Sequence, residues 1–333
     1  MTRRFRFRQV DVFTDRPLHG NPLAVFPEAD GLTDEEMQGL AREMNISETA
    51  FVLRPTDAGR KAGADYRLRI FTPGLELPFA GHPSIGAAWV LADEGRFPLK
   101  SPRTDVRQEL AIGVLPLSLG VEPPAKGEPK GAPSRLGEVT MIQGHPEELH
   151  RFEPDDVADL CEALEVSTSS IGWRPLGHSL RTKAPPAVIS TGLPHLIVPF
   201  ADRDVMADID HERREYVAEV CRSYDCDSAA LVSAGNSGAI ADADVSVRVF
   251  DAGSFKIDAD PATGAAAGPI AVFLGRVAGV KGTTFRLVIE QGVEVGRPSR
   301  LVAEVDFSSD GRPREVRVSG NVVPVIDGWV TLP

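Results

Sequence analysis

The feature that most constrains the fold of this chain is an internal duplication, in which one pattern recurs roughly 180 residues further along. Residues 69–74 (RIFTPG) return as residues 248–253 (RVFDAG), and each copy is a strand pattern that ends in a glycine turn. Residues 82–88 (HPSIGAA) return as residues 260–266 (DPATGAA), and each copy opens an apolar segment. Because one unit is used twice, the sequence predicts two similar domains.

The duplicated pattern also extends upstream of these segments. Residues 47–52 (SETAFV) match residues 227–232 (DSAALV), and amphipathic helix patterns precede them at residues 34–44 and 211–223. Each copy thus combines several short strands rich in Val, Ile, Leu and Phe with one surface helix and one apolar helix. A helix that is apolar on all sides belongs in a core. We therefore predict an α+β fold in which each domain wraps a curved sheet around a buried helix.

The domain boundaries follow from the placement of the two copies. We expect one domain to comprise residues 1–118 together with about 315–333, and the other to comprise residues 119–314. The segment 122–135 is rich in Pro and Gly, which predicts a loop or linker near the boundary. The last strand patterns, at 315–318 and 322–326, are expected to return to the first domain and close it.

Composition excludes several classes of function. The 333 residues carry a net charge of −12 without a Lys/Arg-rich stretch, which disfavours nucleic acid or an anionic membrane as a partner. The longest apolar stretch, residues 265–274, is broken by Gly and Pro and is shorter than the roughly 18 residues of a membrane span. The first 13 residues lack the continuous apolar core of a secretion signal. With three cysteines in no paired pattern, a cytoplasmic protein is expected.

The matched loops at the starts of the two apolar helices are the first candidate site. They contain Gly81 and His82 in one copy and residues 260–264 in the other, and we expect them to face each other across a cleft between the domains. Backbone N–H groups and the positive end of a helix dipole favour a bound anion, so a small carboxylate is the expected ligand. The alternative is that His82 and Asp260 only cap the helices.

Glu48 is the second candidate, because it stands between a helix end and the start of an apolar strand. Burial at that position raises the pKa of a carboxyl group toward the range in which it both takes and gives a proton. The alternative is a capping or surface glutamate, and the matching residue in the second copy is Ser228. No dinucleotide fingerprint, P-loop or serine nucleophile motif occurs, and the histidine spacings predict no metal site.

Several motifs, in order along the chain, carry a resemblance to a known family. They are residues 11–14 (DVFT), 20–22 (GNP), 45–51 (NISETAF), 78–83 (PFAGHP), 191–194 (TGLP), 260–264 (DPATG) and 296–299 (GRPS). With these motifs the chain resembles PhzF-like, phenazine-biosynthesis-type isomerases of the diaminopimelate epimerase fold. The resemblance implies two pseudo-symmetric domains, each a barrel-like, mostly antiparallel sheet around a central helix. It also implies a homodimer and an enzyme without a metal or organic cofactor.

The resemblance also implies roles for individual residues. Glu48 matches the acid/base glutamate of the family, His82 and Asp260 match its polar site residues, and Gly81 and Gly264 match backbone donors near the substrate. The implied reaction moves a proton and a double bond on a small carboxylate. In the family prototype, trans-2,3-dihydro-3-hydroxyanthranilate loses a proton at C3 and gains one at C1.

Ala265 departs from the family pattern, which continues with serine after the glycine. The missing hydroxyl removes a hydrogen bond worth about 0.5–1.5 kcal/mol, or it fits the site to another substrate. Two alternatives therefore stay open, namely a related isomerase or epimerase of secondary metabolism with a different substrate, and a non-catalytic small-acid-binding protein. A two-thiol racemase is disfavoured, because neither matched loop contains a cysteine.

Overall fold

The computed structural model describes residues 2–123, 135–175, 182–251 and 260–333. The chain divides into two compact units, which we call unit 1 (Met1–Ile142 with Ser319–Pro333) and unit 2 (Gln143–Val318). Most of the Pro/Gly-rich segment 122–135 lies outside the described residues, as does the glycine turn predicted at residue 253.

Seventeen strands occur in the described part of the chain. They are β1 (Arg3–Val12), β2 (Asn21–Phe26), β3 (Glu48–Leu53), β4 (Tyr66–Phe71), β5 (Glu76–Leu77), β6 (Arg103–Leu110), β7 (Gly113–Glu122), β8 (Arg135–Ile142), β9 (Glu147–Arg151), β10 (Ala187–Ser190), β11 (Pro194–Phe200), β12 (Ser228–Ala234), β13 (Val245–Asp251), β14 (Thr284–Gln291), β15 (Ser299–Phe307), β16 (Pro313–Gly320) and β17 (Val322–Leu332).

Helices are fewer and mostly short. They are α1 (Asp34–Met44), α2 (Asp57–Lys61), α3 (Gly81–Asp93), α4 (Pro154–Leu164), α5 (Arg203–Ala207), α6 (Arg214–Ser223) and α7 (Gly264–Val277), with 3₁₀ turns at Thr168–Ser170 and His211–Arg213. Within the described ranges, none of these helices combines the length and the apolar character that crossing a membrane would require.

The sheet of unit 1 runs in the order β17-β1-β2-β3-β4-β6-β7-β8. Its pairs are antiparallel except β2 with β3 and β4 with β6. Helix α3 contacts β1, β2, β3, β4, β7, β8 and β17, so the sheet curves around it. Every residue of α3 from Gly81 to Ala92 is buried, which explains why its sequence is apolar on all sides.

The same arrangement recurs in unit 2. From β10 to β15 the successive pairs are antiparallel, parallel, antiparallel, parallel and antiparallel, as they are from β1 through β4 to β6 and β7. Helix α7 packs against β10, β11, β12, β14 and β15, and most of its residues are buried. The duplicated sequence therefore builds the same strand order twice, each copy around one apolar helix, and the predicted α+β fold is confirmed.

Some sequence predictions differ from the structure in detail. Unit 1 extends to Ile142 rather than to residue 118, because β8 pairs with β7. Of the two strand patterns predicted to return to the first domain, residues 322–326 do so, since β17 pairs with β1 along its whole length, whereas residues 315–318 belong to unit 2. The predicted helix at 211–223 begins with a 3₁₀ turn and continues as α6. Pro83 lies in the first turn of α3 as predicted, whereas Pro261 precedes α7 and lies outside it.

Candidate active site

Glu48 is the first residue of β3, and it is placed there by the turn that follows α1. Asn45 ends α1 in the left-handed conformation, with φ 49° and ψ 40°, and the chain then enters β3 beside β2. In this parallel pair Glu48 lies opposite Leu23. Glu48 is 7% exposed, so its carboxyl group lies inside unit 1. The interpretation of Glu48 as a surface glutamate is therefore wrong.

His82 is the second residue of α3 and is 5% exposed. The position of α3 depends on Gly86, one turn further along, because a Cβ there would lie 2.5 Å from Leu23 Cδ2. This close approach of helix and sheet brings His82 to the beginning of β3. His82 Nε2 lies 3.4 Å from Glu48 Oε2. The structure thus brings together two of the residues that the sequence singled out.

The other side of the His82 ring is also occupied by protein groups. Asn21 Nδ2 lies 3.3 Å from His82 Nδ1, and Ser47 Oγ donates to Asn21 Oδ1 over 3.0 Å. The backbone of Pro22 provides a further hydrogen bond to the ring. Asn21 can donate to the imidazole and the Pro22 carbonyl can accept from it, so the ring has a partner in either tautomer.

Burial lowers the pKa of His82 to about 3, so the ring is neutral at physiological pH. A neutral imidazole carries one N–H and one lone pair. It can therefore donate to Glu48 when that group is a carboxylate and accept from it when it is a carboxylic acid. A residue that takes up a proton and then returns it passes through both states. The contact is longer and less well aligned than a good hydrogen bond, which is common before substrate binds.

The N-termini of α3 and α7 differ from that of the surface helix α1. In α1, Thr33 and Glu36 form a capping box, and acidic residues fill the first turn. Among the described residues, no side chain caps α3 or α7, and neither helix has an acidic residue in its first turn. Their first N–H groups, which begin at Gly81 and Gly264, are left available for an anion.

The cap interpretation of His82 and Asp260 is wrong. The N-cap residue of α3 is Ala80 and that of α7 is Thr263. The Asp260 carboxylate instead accepts from Thr263 Oγ1 over 2.7 Å, and Gln291 Nε2 donates to the Asp260 carbonyl over 2.8 Å. These bonds define the turn that leads into α7, which places Ala265, half-buried, in the first turn of the helix.

The position of Glu48 has a different occupant in unit 2. Ser228 is the first residue of β12, lies opposite His195 in the parallel pair with β11, and is buried. Ser228 Oγ and His195 Nδ1 are 2.8 Å apart. Burial lowers the pKa of His195 to about 4, so this ring is also neutral. Unit 2 therefore has a serine bonded to a buried histidine at the position where unit 1 has Glu48.

The predicted site residues fall into one group in each unit. Unit 1 brings together Glu48, His82 and Gly81. Unit 2 holds Asp260, Gly264 and Ala265 in the loop and first turn of α7. That the two loops face one cavity stays a prediction.

Sequence reasoning missed Asn21 and Ser47 as partners around His82. The GNP motif at residues 20–22 was the available signal, because an asparagine at the start of a buried strand must satisfy its amide group. Within the described ranges, no cluster of three or more His, Cys, Asp or Glu residues is arranged to hold a metal ion.

Comparison with known proteins decides the family. The family model described as "Phenazine biosynthesis-like protein" matches residues 10–328. The chain belongs to this family. As a member it is a PhzF-type isomerase, in agreement with the curated relatives, several of which are named isomerases.

Two curated relatives illustrate the similarity. A trans-2,3-dihydro-3-hydroxyanthranilate isomerase of Pseudomonas aeruginosa is 33% identical over 97% of this chain and 98% of its own length. An uncharacterised isomerase of Mesorhizobium japonicum is 32% identical over 96% of both chains. The similarity therefore spans both units and includes the residues around Glu48 and His82.

Solved structures agree with the family assignment. A protein from Pseudomonas aeruginosa described as a predicted epimerase is 30% identical, with a TM-score of 0.70 over 98% of this chain and 99% of that one. A PhzF-family protein of Bacillus anthracis shares the fold with a TM-score of 0.79, at 24% identity and the same coverage. A probable proline racemase of Agrobacterium radiobacter, 14% identical with a TM-score of 0.59, shares the same fold, so these structures confirm the epimerase-like fold.

Proposed function

We propose that this chain is a cofactor-independent isomerase that moves a proton and a double bond on a small carboxylate metabolite, with Glu48 as the acid/base group. The contact between the buried Glu48 carboxyl group and the neutral His82 ring carries this proposal. The neutral imidazole of His82 can either donate a hydrogen bond or accept one. A carboxyl group beside it is therefore suited to a reaction in which that carboxyl group first takes up a proton and then returns it.

In the proposed reaction the Glu48 carboxylate removes a proton from a carbon of the substrate. The released electron pair enters the conjugated system, and the double bond shifts. Glu48, now a carboxylic acid, returns the proton to a different carbon, so that no atom or electron is gained or lost. His82 holds the Glu48 carboxyl group in place in both protonation states, and because its pKa is about 3 it does so without adding a positive charge.

The substrate carboxylate is proposed to bind at uncapped helix starts. The N–H groups at Gly81 and Gly264 supply donors without any side-chain competitor, and no acidic residue in either first turn repels an anion. Asp260 is proposed to hold the loop before Gly264 in the binding conformation through its bond with Thr263. With such a site, a chain with a net charge of −12 can still bind an anion locally.

The substrate named for the Pseudomonas aeruginosa relative, trans-2,3-dihydro-3-hydroxyanthranilate, is the first candidate for this chain as well. Ala265 favours a second candidate, a different small carboxylate. Its methyl group stands where the family pattern has a serine hydroxyl, so a substrate without the matching polar group fits better.

The experiment is turnover of trans-2,3-dihydro-3-hydroxyanthranilate by the purified full chain, followed by chromatography, with and without EDTA. We expect conversion that EDTA does not change and that Glu48→Gln abolishes, while circular dichroism shows an intact fold. Conversion by the Gln variant at the wild-type rate would refute the mechanism. If the wild type does not convert this compound but exchanges protons of another carboxylate in a Glu48-dependent way, the second candidate is correct.

A further inference from the structure

The duplication places an arginine at the same position in both units. Arg69 in β4 lies opposite Phe51, and Arg248 in β13 lies opposite Leu231, at matching positions of the two units. Both side chains lie mostly inside their unit. The two guanidinium groups differ in whether a carboxylate of the chain pairs with them.

The guanidinium group of Arg69 is fully engaged by carboxylates. Its Nε and Nη2 donate to the two carboxylate oxygens of Glu76 over 2.7 and 2.6 Å, and its Nη1 donates to Asp34 over 2.5 Å. Nε and Nη2 form the edge of a guanidinium group that matches a carboxylate in a two-pronged pair. In unit 1 this edge is therefore filled by a carboxylate of the chain itself.

The corresponding edge of Arg248 has no carboxylate partner among the residues that the structure describes. Only Nη1 is engaged, donating to the carbonyls of Met206, Ala207 and Ile209 at the end of α5 over 2.7 to 3.0 Å. Nε and Nη2 make no hydrogen bond to any residue that the structure describes. Arg248 is nevertheless only 7% exposed, and burial lowers its pKa. At the sequence positions that correspond to Glu76 the chain has Ser254, Phe255 and Lys256, none of them acidic.

Arg248 also lines a cavity of about 260 Å³ in unit 2. The apolar part of the wall comes from Met206, Val247 and Val293, and the polar part includes Glu290 and Glu294. This volume is below the roughly 300–1,000 Å³ of pockets for drug-sized ligands, so the occupant is small. The wall also includes a second cation, Arg203, which donates to Asp204, whereas Arg248 donates to no carboxylate among the described residues.

The two glutamates of the wall do not occupy the arginine edge. Glu290 accepts four hydrogen bonds, from Ser237 N and Oγ, Ile240 N and Ser246 Oγ, over 2.7 to 3.0 Å. These donors compensate its charge. Burial raises the pKa of Glu294, although the nearby positive charge of Arg248 lowers it. Neither glutamate accepts a hydrogen bond from Arg248, so the arginine edge is left for another anion.

We infer that unit 2 contains a second binding site, in which the Nε and Nη2 edge of Arg248 holds the carboxylate of a short aliphatic monocarboxylic acid. The carboxylate takes the place that Glu76 takes on Arg69, and the alkyl chain packs against Met206, Val247 and Val293. This site lies outside the Glu48 and His82 group and does not depend on the proposed isomerase reaction.

The experiment is isothermal titration calorimetry of the full chain with sodium butyrate, against sodium chloride at the same ionic strength. We expect saturable binding with one site that depends on Arg248. Arg248→Lys keeps the charge but loses the two-pronged edge, and is expected to weaken binding at least tenfold. Val293→Phe fills the cavity and is expected to abolish binding. Val295→Phe is the matched control, because Val295 is equally exposed, at 37%, and does not line the cavity.

Glu48→Gln separates this inference from the proposed function, since it is expected to bind butyrate at the Arg248 site like the wild type. If Arg248→Lys fails to fold, the pair Val293→Phe and Val295→Phe decides. Absence of saturable butyrate binding to the wild type would overturn the inference, as would binding that Val293→Phe leaves unchanged. Binding lost in Glu48→Gln but kept in Val293→Phe would place the butyrate at the isomerase site and likewise overturn it.

Discussion

The two units of this protein have the same strand order but differ at the residue that begins the third strand of each repeat. In unit 1 this residue is Glu48, next to the His82 ring, and in unit 2 it is Ser228, bonded to His195. Both histidines are buried and neutral, with pKa values lowered by burial to about 3 and about 4. Duplication therefore supplied the scaffold twice, whereas a carboxylate able to carry a proton stands in only one of the two positions.

The difference between Glu48 and Ser228 predicts the largest effect. Glu48→Ser gives unit 1 the residue of unit 2, and we expect turnover to fall by about 10²–10⁴-fold because the proton carrier is lost. Ser228→Ala is the matched change in unit 2. It should keep turnover within a few-fold of the wild type but lower the free energy of unfolding by about 1–3 kcal/mol, because His195 Nδ1 loses its buried partner.

Steady-state kinetics and urea unfolding of both variants check this prediction. Equal losses of turnover in the two variants would show that Glu48 is not a proton carrier that distinguishes unit 1 from unit 2.

His82 predicts the next effect. His82→Gln removes the ring that contacts Glu48 in both protonation states, and a hydrogen bond to a charged group is worth about 1.5–3 kcal/mol. We expect kcat to fall roughly tenfold to a hundredfold. The pH dependence of kcat should also change, because Glu48 loses an imidazole that can donate to its carboxylate form and accept from its carboxylic acid form. A variant with the wild-type kcat and pH profile would limit His82 to a structural role.

Because both histidines are buried and neutral, we expect the free energy of unfolding to depend on pH. A histidine in the unfolded chain titrates near pH 6.5, whereas His82 and His195 stay neutral in the fold down to about pH 3 and 4. As the pH falls below 6.5, the unfolded state binds more protons, so the free energy of unfolding decreases until the folded pKa is reached. Each histidine contributes a slope of at most about 1.4 kcal/mol per pH unit.

Urea unfolding at pH 7 and pH 5 checks this slope. His82→Gln and His195→Gln should each reduce the slope of the unfolding free energy against pH, because each variant removes one histidine that binds a proton only in the unfolded state. If the wild type and both variants lose stability equally between these pH values, the histidines are not neutral in the fold.

Ala265 predicts the smallest effect. Ala265→Ser restores the hydroxyl of the family pattern in the first turn of α7. If trans-2,3-dihydro-3-hydroxyanthranilate is the substrate, kcat/KM for it should rise by the equivalent of about 0.5–1.5 kcal/mol, which is roughly twofold to tenfold. A decrease would indicate that the alanine fits the site to another carboxylate, which a metabolite screen with both proteins would identify.

The comparison of the units also shows what the sequence could predict. The repeat of residues 82–88 at 260–266 was enough to predict the two apolar helices and their buried positions, since a helix apolar on all sides has only one favourable environment. The resemblance to the family, together with the position of Glu48 between a helix and a strand, was enough to predict Glu48 and His82 as site residues.

Contacts that depend on three-dimensional packing could not be predicted in the same way. The approach of Asn21 to His82 depends on the close fit of Gly86 against Leu23, which no spacing in the sequence encodes. The hydrogen bonds of Asp260 could not be predicted for a similar reason, because its partner Thr263 and the supporting Gln291 come together only when β14 lies beside the loop. The boundary of unit 1 depended on the pairing of β7 with β8, across residues whose composition predicted only a loop.

The most direct test of the central claim is the exchange of substrate protons with solvent deuterium, followed by mass spectrometry in D2O under conditions where the fold is intact. Because the protonated Glu48 exchanges its proton with D2O before it gives one to the substrate, wild-type protein and Ser228→Ala are expected to introduce deuterium into the product at the carbon that gains the proton. Glu48→Gln is expected to introduce none above the uncatalysed background. Incorporation by Glu48→Gln at the wild-type rate would contradict the assignment of the proton carrier to unit 1.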